Sequence, residues 1–263
     1  MFHKKYFFAV ATVLLVVSLA ATAPADRADG QGPSQAAPTK AEITISGRVT
    51  DFSGNPVEGA QVELKDDHFK NAASAVSGKD GRYKITAAKG RYMALAAVKD
   101  YQVKSLEYWA WNVLAERDLE INPRYDRLEV YAINAWRPQG GYPSLMIYFR
   151  PMSFVKVAQK VTEAGGMAAL QKLPLIDIAP ELDEAGIELT IDGKPARVLQ
   201  INKVREATGL TQYMFGYVIQ TPLPEKRTDR DYALINVALH DSSTGERGEG
   251  CLFFRVQNDP KAK

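Results

Sequence analysis

The chain has 263 residues, 33 Lys and Arg against 31 Asp and Glu, and one cysteine, Cys251. That length accommodates two modest hydrophobic cores. A lone cysteine excludes an intramolecular disulfide, and a near-neutral charge without a basic block excludes the electrostatic footprint of a nucleic-acid binder.

In chain order, His3, Lys4 and Lys5 open a positive segment, an apolar run follows from Tyr6 to Ala20, and small residues come next in SLAATAPA. This order predicts a signal peptide over residues 1–23, because the charged end stays inside, the apolar stretch enters the bilayer and the peptidase accepts small side chains. The expected location is secreted or cell-envelope. If the run were retained, it would serve as an anchor, being slightly shorter than the roughly 18–20 residues that span a bilayer. No cysteine ends the segment to carry a lipid, and without it 31 basic residues face 31 acidic ones, with no stable membrane insertion expected. Residues 24–41, rich in Ala, Gly, Pro, Ser and Gln, have too little apolar surface to fold and read as a flexible linker.

From Glu42 the pattern changes to short alternating strands. Ile43, Ile45 and Val49 fall near period two, SGNP supplies a turn through Gly54 and Pro56, and Ala60, Val62 and Leu64 alternate with Gln61, Glu63 and Lys65. A third strand is expected around Ala73–Ser77, then a hairpin at Asp80-Gly81, with Tyr83 and Ile85 on one face. Gly90 starts a further strand in which Tyr92, Ala94 and Ala96 alternate with Met93, Leu95 and Ala97.

The order Gly47-x-Val49-x-Asp51, Gly54-x-Pro56-Val57-x-Gly59-Ala60-x-Val62, Asp80-Gly81-x-Tyr83, Gly90-x-Tyr92 and Tyr101 resembles the carboxypeptidase regulatory-like domain over residues 42–122. The resemblance implies a transthyretin-like seven-stranded β-sandwich. It implies an accessory role without catalytic residues, in a fold often grouped with carbohydrate-binding ones. The segment YQVKSLEYWAWNVLAERD is richer in aromatics than the family pattern.

The pattern restarts after Pro123, and residues 124–258 hold seven short strand-like runs, the expectation for an immunoglobulin-like sandwich. One stretch breaks the rhythm: Phe154, Val157, Ala158 and Val161 follow helical spacing and Gly165-Gly166 would end the helix. The expected fold is therefore all-β, two β-sandwiches with a short helical insertion in the second, packed against one end of the sandwich or covering a ligand.

The candidate ligand-binding residues are Trp109, Trp111, Trp136 and Tyr142. In a strand, Trp109 and Trp111 share a face about 7 Å apart, a spacing at which rings stack on successive sugars. The alternative is that these tryptophans fill a contact between the modules. Asp66-Asp67-His68 and the acidic loop of Asp177, Glu181, Asp183 and Glu184 lack metal-site spacing. Glu107, Glu116 and Glu120 have no spacing that specifies a glycosidase pair. No catalytic motif is present. No enzyme activity, metal or cofactor is expected; the expected partner is a glycan or an envelope protein, the latter through a structural or protein–protein interaction module.

Overall fold

The computed structural model describes residues 41–224 and 230–255, so the signal peptide expected over residues 1–23 and nearly all of the linker expected over residues 24–41 lie outside the described residues. The first seven strands are β1 (Glu42–Arg48), β2 (Gln61–Lys65), β3 (Asn71–Val76), β4 (Arg82–Ala88), β5 (Gly90–Val98), β6 (Tyr108–Ala115) and β7 (Leu119–Glu120). After them come β8 (Leu128–Trp136), β9 (Ser144–Ser153), α1 (Phe154–Ala164), α2 (Met167–Leu170), β10 (Leu175–Ile176), β11 (Ile187–Ile191) and β12 (Lys194–Pro195). The last four are β13 (Gln200–Ala207), β14 (Tyr213–Pro222), β15 (Tyr232–Asp241) and β16 (Glu246–Arg255). The chain is all-β apart from the short helical segments.

Turn chemistry explains the first module. The Asp51 carboxylate accepts from the backbone N–H of Ser53 and Asn55 and from the Asn55 amide, and Gly54 takes φ 83°. At Asp80-Gly81, Gly81 has φ 77° and a Cβ there would lie 2.4 Å from the Val49 carbonyl oxygen. The expected hairpin is corrected, because β3 pairs with β2 whereas β4 pairs with β1. The dipeptide turns the chain from one sheet to another.

Three sheets result. A three-stranded sheet has the order β4-β1-β7, and a five-stranded sheet the order β10-β14-β9-β8 with β13 on the other side of β14. The eight-stranded sheet runs β12-β11-β15-β16-β6-β5-β2-β3. Its centre joins both halves of the chain: β6 and β16 pair in parallel, with Trp109 opposite Gly250 and Trp111 opposite Leu252. The hydrogen-bonded sheet is thus continuous across Pro123.

This middle layer is buried on both faces at its centre. One face packs with the three-stranded sheet around Ile45, Leu64, Tyr108 and Ala110, and Cys251 and Phe253 from β16 join that core. The other packs on the five-stranded sheet around Trp109, Trp111, Phe149, Tyr217 and Ile235. Gly248 lets β16 approach β8, since a Cβ there would lie 2.1 Å from the Leu128 carbonyl oxygen.

The helical insertion starts where expected. Ser153 caps α1 by accepting from the Lys156 N–H, and Gly165 ends it at φ 79°. Its Phe154, Val157 and Val161 pack on a small core with Leu106, Met152, Leu170 and Met214. The helix closes one end of the five-stranded sheet.

Candidate ligand-binding face

The four aromatic residues singled out in the sequence divide into two pairs. Trp109 and Trp111 do share a face of β6, opposite Ala96 and Ala94, but they are only 4% and 8% exposed. Their rings stack at 5.3 Å, Phe69 lies 5.6 Å from Trp109, and Tyr131 meets both edge-on at 5.3 and 4.9 Å. The expectation of an exposed platform is corrected for this pair, because the five-stranded sheet and the Phe69 loop cover the face on which a sugar would stack. Trp136 and Tyr142 are 45% and 65% exposed.

Beside the buried rings sits an acidic pair. The Trp109 indole N–H donates to Glu129 Oε1 at 2.9 Å, while Oε2 is buried without a hydrogen-bond partner. Burial first, and the charge of Glu107 second, hold the Glu129 carboxyl well above its ordinary range. Burial also pushes Glu107 up to about 7, with Lys65 opposing the shift. Glu116 instead pairs with Arg255, and Glu120 accepts from Asn122, so the three glutamates noted in the sequence do not converge.

The outer face of β8, β9, β14 and β13 displays polar and aromatic groups in register. Residues directly opposite across antiparallel strands point to the same face. Trp136, Met146, Gln220 and Gln200 form one row, and Asn134, Tyr148, Val218 and Asn202 form the next. A bulge at Ala132, φ 53°, keeps Asn134 and Tyr131 on the same side although they are three residues apart. Strand spacing makes each row about 14 Å wide, and successive rows lie about 7 Å apart.

Tyr148 is held across this face. Its ring lies over Gly216, where a Cβ would be 2.6 Å from it, and its hydroxyl donates to Glu206. Glu206 is in turn fixed by Arg150 Nη1 at 2.9 Å. The amides are placed at the surface, with Gln220 Nε2 donating to Ser144 Oγ at 2.9 Å and Asn134 Nδ2 to the Ala132 carbonyl at 3.2 Å. Tyr142 stands in the β8–β9 connection at the Trp136 end. Sequence reading missed Asn134, Tyr148, Gln200, Asn202 and Gln220; alternation marks each within its strand, but only the pairing register collects them.

Other sequence candidates have structural roles. Asp66 accepts from the backbone N–H of His68 and Lys70, which closes its own loop. Glu181 pairs with Lys156 and Lys203, and Asp183 caps the turn before β11. Among the described residues no group of three or more His, Cys, Asp or Glu is arranged to hold a metal. Cys251 is buried, accepts from the Tyr108 hydroxyl at 3.2 Å, and burial pushes its thiol up to about 12, which suppresses the reactive thiolate.

Residues 44–121 match the carboxypeptidase regulatory-like domain family. No curated protein matches the chain. Among solved structures, a DUF3823 family protein of Bacteroides ovatus is 9% identical, with 81% of this chain and 99% of that chain covered and a TM-score of 0.26. A Bacteroides uniformis protein, described as a candidate carbohydrate binding protein, is 10% identical over 81% of this chain and 99% of that one, TM-score 0.27. BcpA, the major pilin subunit of Bacillus cereus, is 9% identical over 82% and 69%, TM-score 0.27. At such scores these likenesses carry no argument about function. Among the described residues no helix is long and apolar enough to cross a membrane.

Proposed function

Starting from a chain whose residues 44–121 form a carboxypeptidase regulatory-like domain, we propose that the protein is an extracytoplasmic, non-catalytic accessory protein that binds carbohydrate through the outer face of its five-stranded sheet. The observation that carries this reading is the register that sets Trp136, Tyr148, Asn134, Gln220, Gln200 and Asn202 on one face of four strands. An indole offers an apolar surface to the C–H face of a sugar ring, and amides carry both a donor and an acceptor for its hydroxyl rim. Such a face binds without reacting.

The test is affinity electrophoresis of the protein through gels containing single polysaccharides. The wild type is expected to be retarded by at least one of them, and Trp136→Ala to migrate as in a blank gel while melting within about 0.5 kcal/mol of wild type, as exposed substitutions do. Retardation that survives both Trp136→Ala and Asn134→Ala places any glycan elsewhere. No retardation by any polysaccharide ends the reading.

A further inference from the structure

The eight-stranded sheet ends on one side in β3, and we propose that this strand is an edge to which an extended acidic segment of a partner protein adds as a further strand. Sheet edges expose unpaired N–H and C=O groups, and proteins ordinarily guard them with charge, proline, brevity or a bulge. The other edges among the described residues are guarded in these ways. β12 has two residues, one of them Pro195; β7 and β10 have two residues each; β4 carries Arg82 and Lys84; β13 carries Lys203 and Arg205; β8 is broken by its bulge at Ala132. In contrast β3 reads Asn-Ala-Ala-Ser-Ala-Val, six residues without charge or proline, ending in Val76 at 57% exposure. Its pairing with β2 is regular from Ala73 to Val76 and shifts register between Ala73 and Asn71, so the uninterrupted edge is these four residues.

What fits this edge follows from its surroundings. A groove of about 840 Å³ runs beside Ala75 and Val76, and its charged lining is Arg48, Arg82 and Lys84 against Glu120. Arg48 is oriented by donation from Nε to the Asp80 carbonyl at 2.8 Å, and Arg82 lies 3.4 Å from the Asp80 carboxylate. The positive excess favours carboxylates on the incoming strand, whose alternate side chains fall toward the groove. A second copy of this chain fits less well. Its β3 has no carboxylate of its own to place in the groove, although Asp66 and Asp67 lie just before the Asn71 end that antiparallel self-pairing would bring to Arg82 and Lys84.

The experiment uses the mature chain and a fluorescein-labelled eight-residue peptide alternating glutamate and valine, with a lysine-for-glutamate peptide as its counterpart. Fluorescence anisotropy is expected to show the acidic peptide binding about tenfold or more tightly than the basic one, weakening as salt rises. Hydrogen exchange is expected to show amide protection over residues 71–76. The double variant Arg82→Glu, Lys84→Glu alters exposed side chains, keeps the wild-type melt and reverses the preference. The proposal is overturned by absence of binding, by equal binding of both peptides, or by protection confined to other strands. It is equally overturned if 71–76 become protected with rising protein concentration alone, since a second copy then occupies the edge. Glycan retention by the face around Trp136 is read separately and does not bear on this result.

Discussion

Replacing Trp109 measures what the buried aromatic cluster contributes. In Trp109→Ala the stacking partners Phe69 and Trp111 and the edge contact with Tyr131 are lost from a side chain only 4% exposed. A cavity of that kind costs about 3–5 kcal/mol. Glu129 also loses the indole N–H that donates to its carboxyl at 2.9 Å, a further ~1–3 kcal/mol. Together these approach the whole stability of an ordinary domain, about 5–15 kcal/mol, so this variant is expected to be largely unfolded at 37 °C. Trp109→Phe separates the two contributions: it retains an aromatic ring and loses the N–H. Its expected loss is ~1–3 kcal/mol, a fall in Tm of roughly 3–10 °C for a unit of this size. Because the indole N–H favours the ionised form of Glu129, its removal shifts the balance further toward the protonated form, so the Phe variant, compared at pH 5 and pH 8, should in no case lose more stability at the lower pH. Thermal melts followed by circular dichroism at both pH values give the numbers. A Trp109→Ala protein that melts like wild type would show that the ring is not part of a packed core and refute the argument.

The raised groups give a pH dependence of definite sign. Glu107 holds its proton to about 7 in the folded chain and to its ordinary 4.5 when unfolded, so its contribution is full below pH 4.5 and is lost as pH rises through 7. At about 1.4 kcal/mol per unit the loss is about 3 kcal/mol; Glu107→Gln should flatten the melting profile across that range, and an unchanged profile would place the carboxyl in water. Gly248→Ala should cost more than ~3 kcal/mol, or prevent folding, because its Cβ would meet the Leu128 carbonyl at 2.1 Å; a normal melt would show that β8 and β16 can part without penalty. Residues 42–122 expressed alone should have low stability, since Trp109 and Trp111 lose the five-stranded sheet that buries them, each worth about 1.5–3 kcal/mol. A sharp two-state melt for that piece near the melting temperature of the full chain would establish an independent domain.

Much of the fold could be read from local chemistry. The Asp51–Asn55 turn, the helix from Phe154 to its Gly165 cap, and the alternation of β2 and β4 are local effects of glycine, capping and side-chain period. The shared face of Trp109 and Trp111 was equally legible, because parity is a property of the strand itself. Which faces of β6 are buried was not. Seven of its eight residues are buried, and a strand covered on both sides gives no polar face to contrast with the apolar one. Its lateral partner β16 lies far away in sequence, the five-stranded sheet that covers it is assembled from strands spread between Leu128 and Pro222, and nothing near Trp109 announces either. For the same reason Asp80-Gly81 looked like a hairpin: the dipeptide specifies a reversal of direction, while the choice between a neighbouring strand and a different sheet is made by burial elsewhere.

The pairing of β6 with β16 also sets an order of events in folding. The strand that flanks β6 in the middle of the largest sheet is the last one described, so Trp109 meets Gly250 only after some 140 intervening residues have been made. At about 5–20 residues per second that interval is on the order of 10 s. Until then the adjoining edge of β6 is unsealed, although Phe69, Tyr131 and Glu129, which contact its tryptophans, have already been made. Non-local pairings of this kind are slow to close even in a complete chain. The central pairing is therefore among the last that synthesis makes possible, and the edge of β6 that awaits β16 is left open to misassociation throughout that interval.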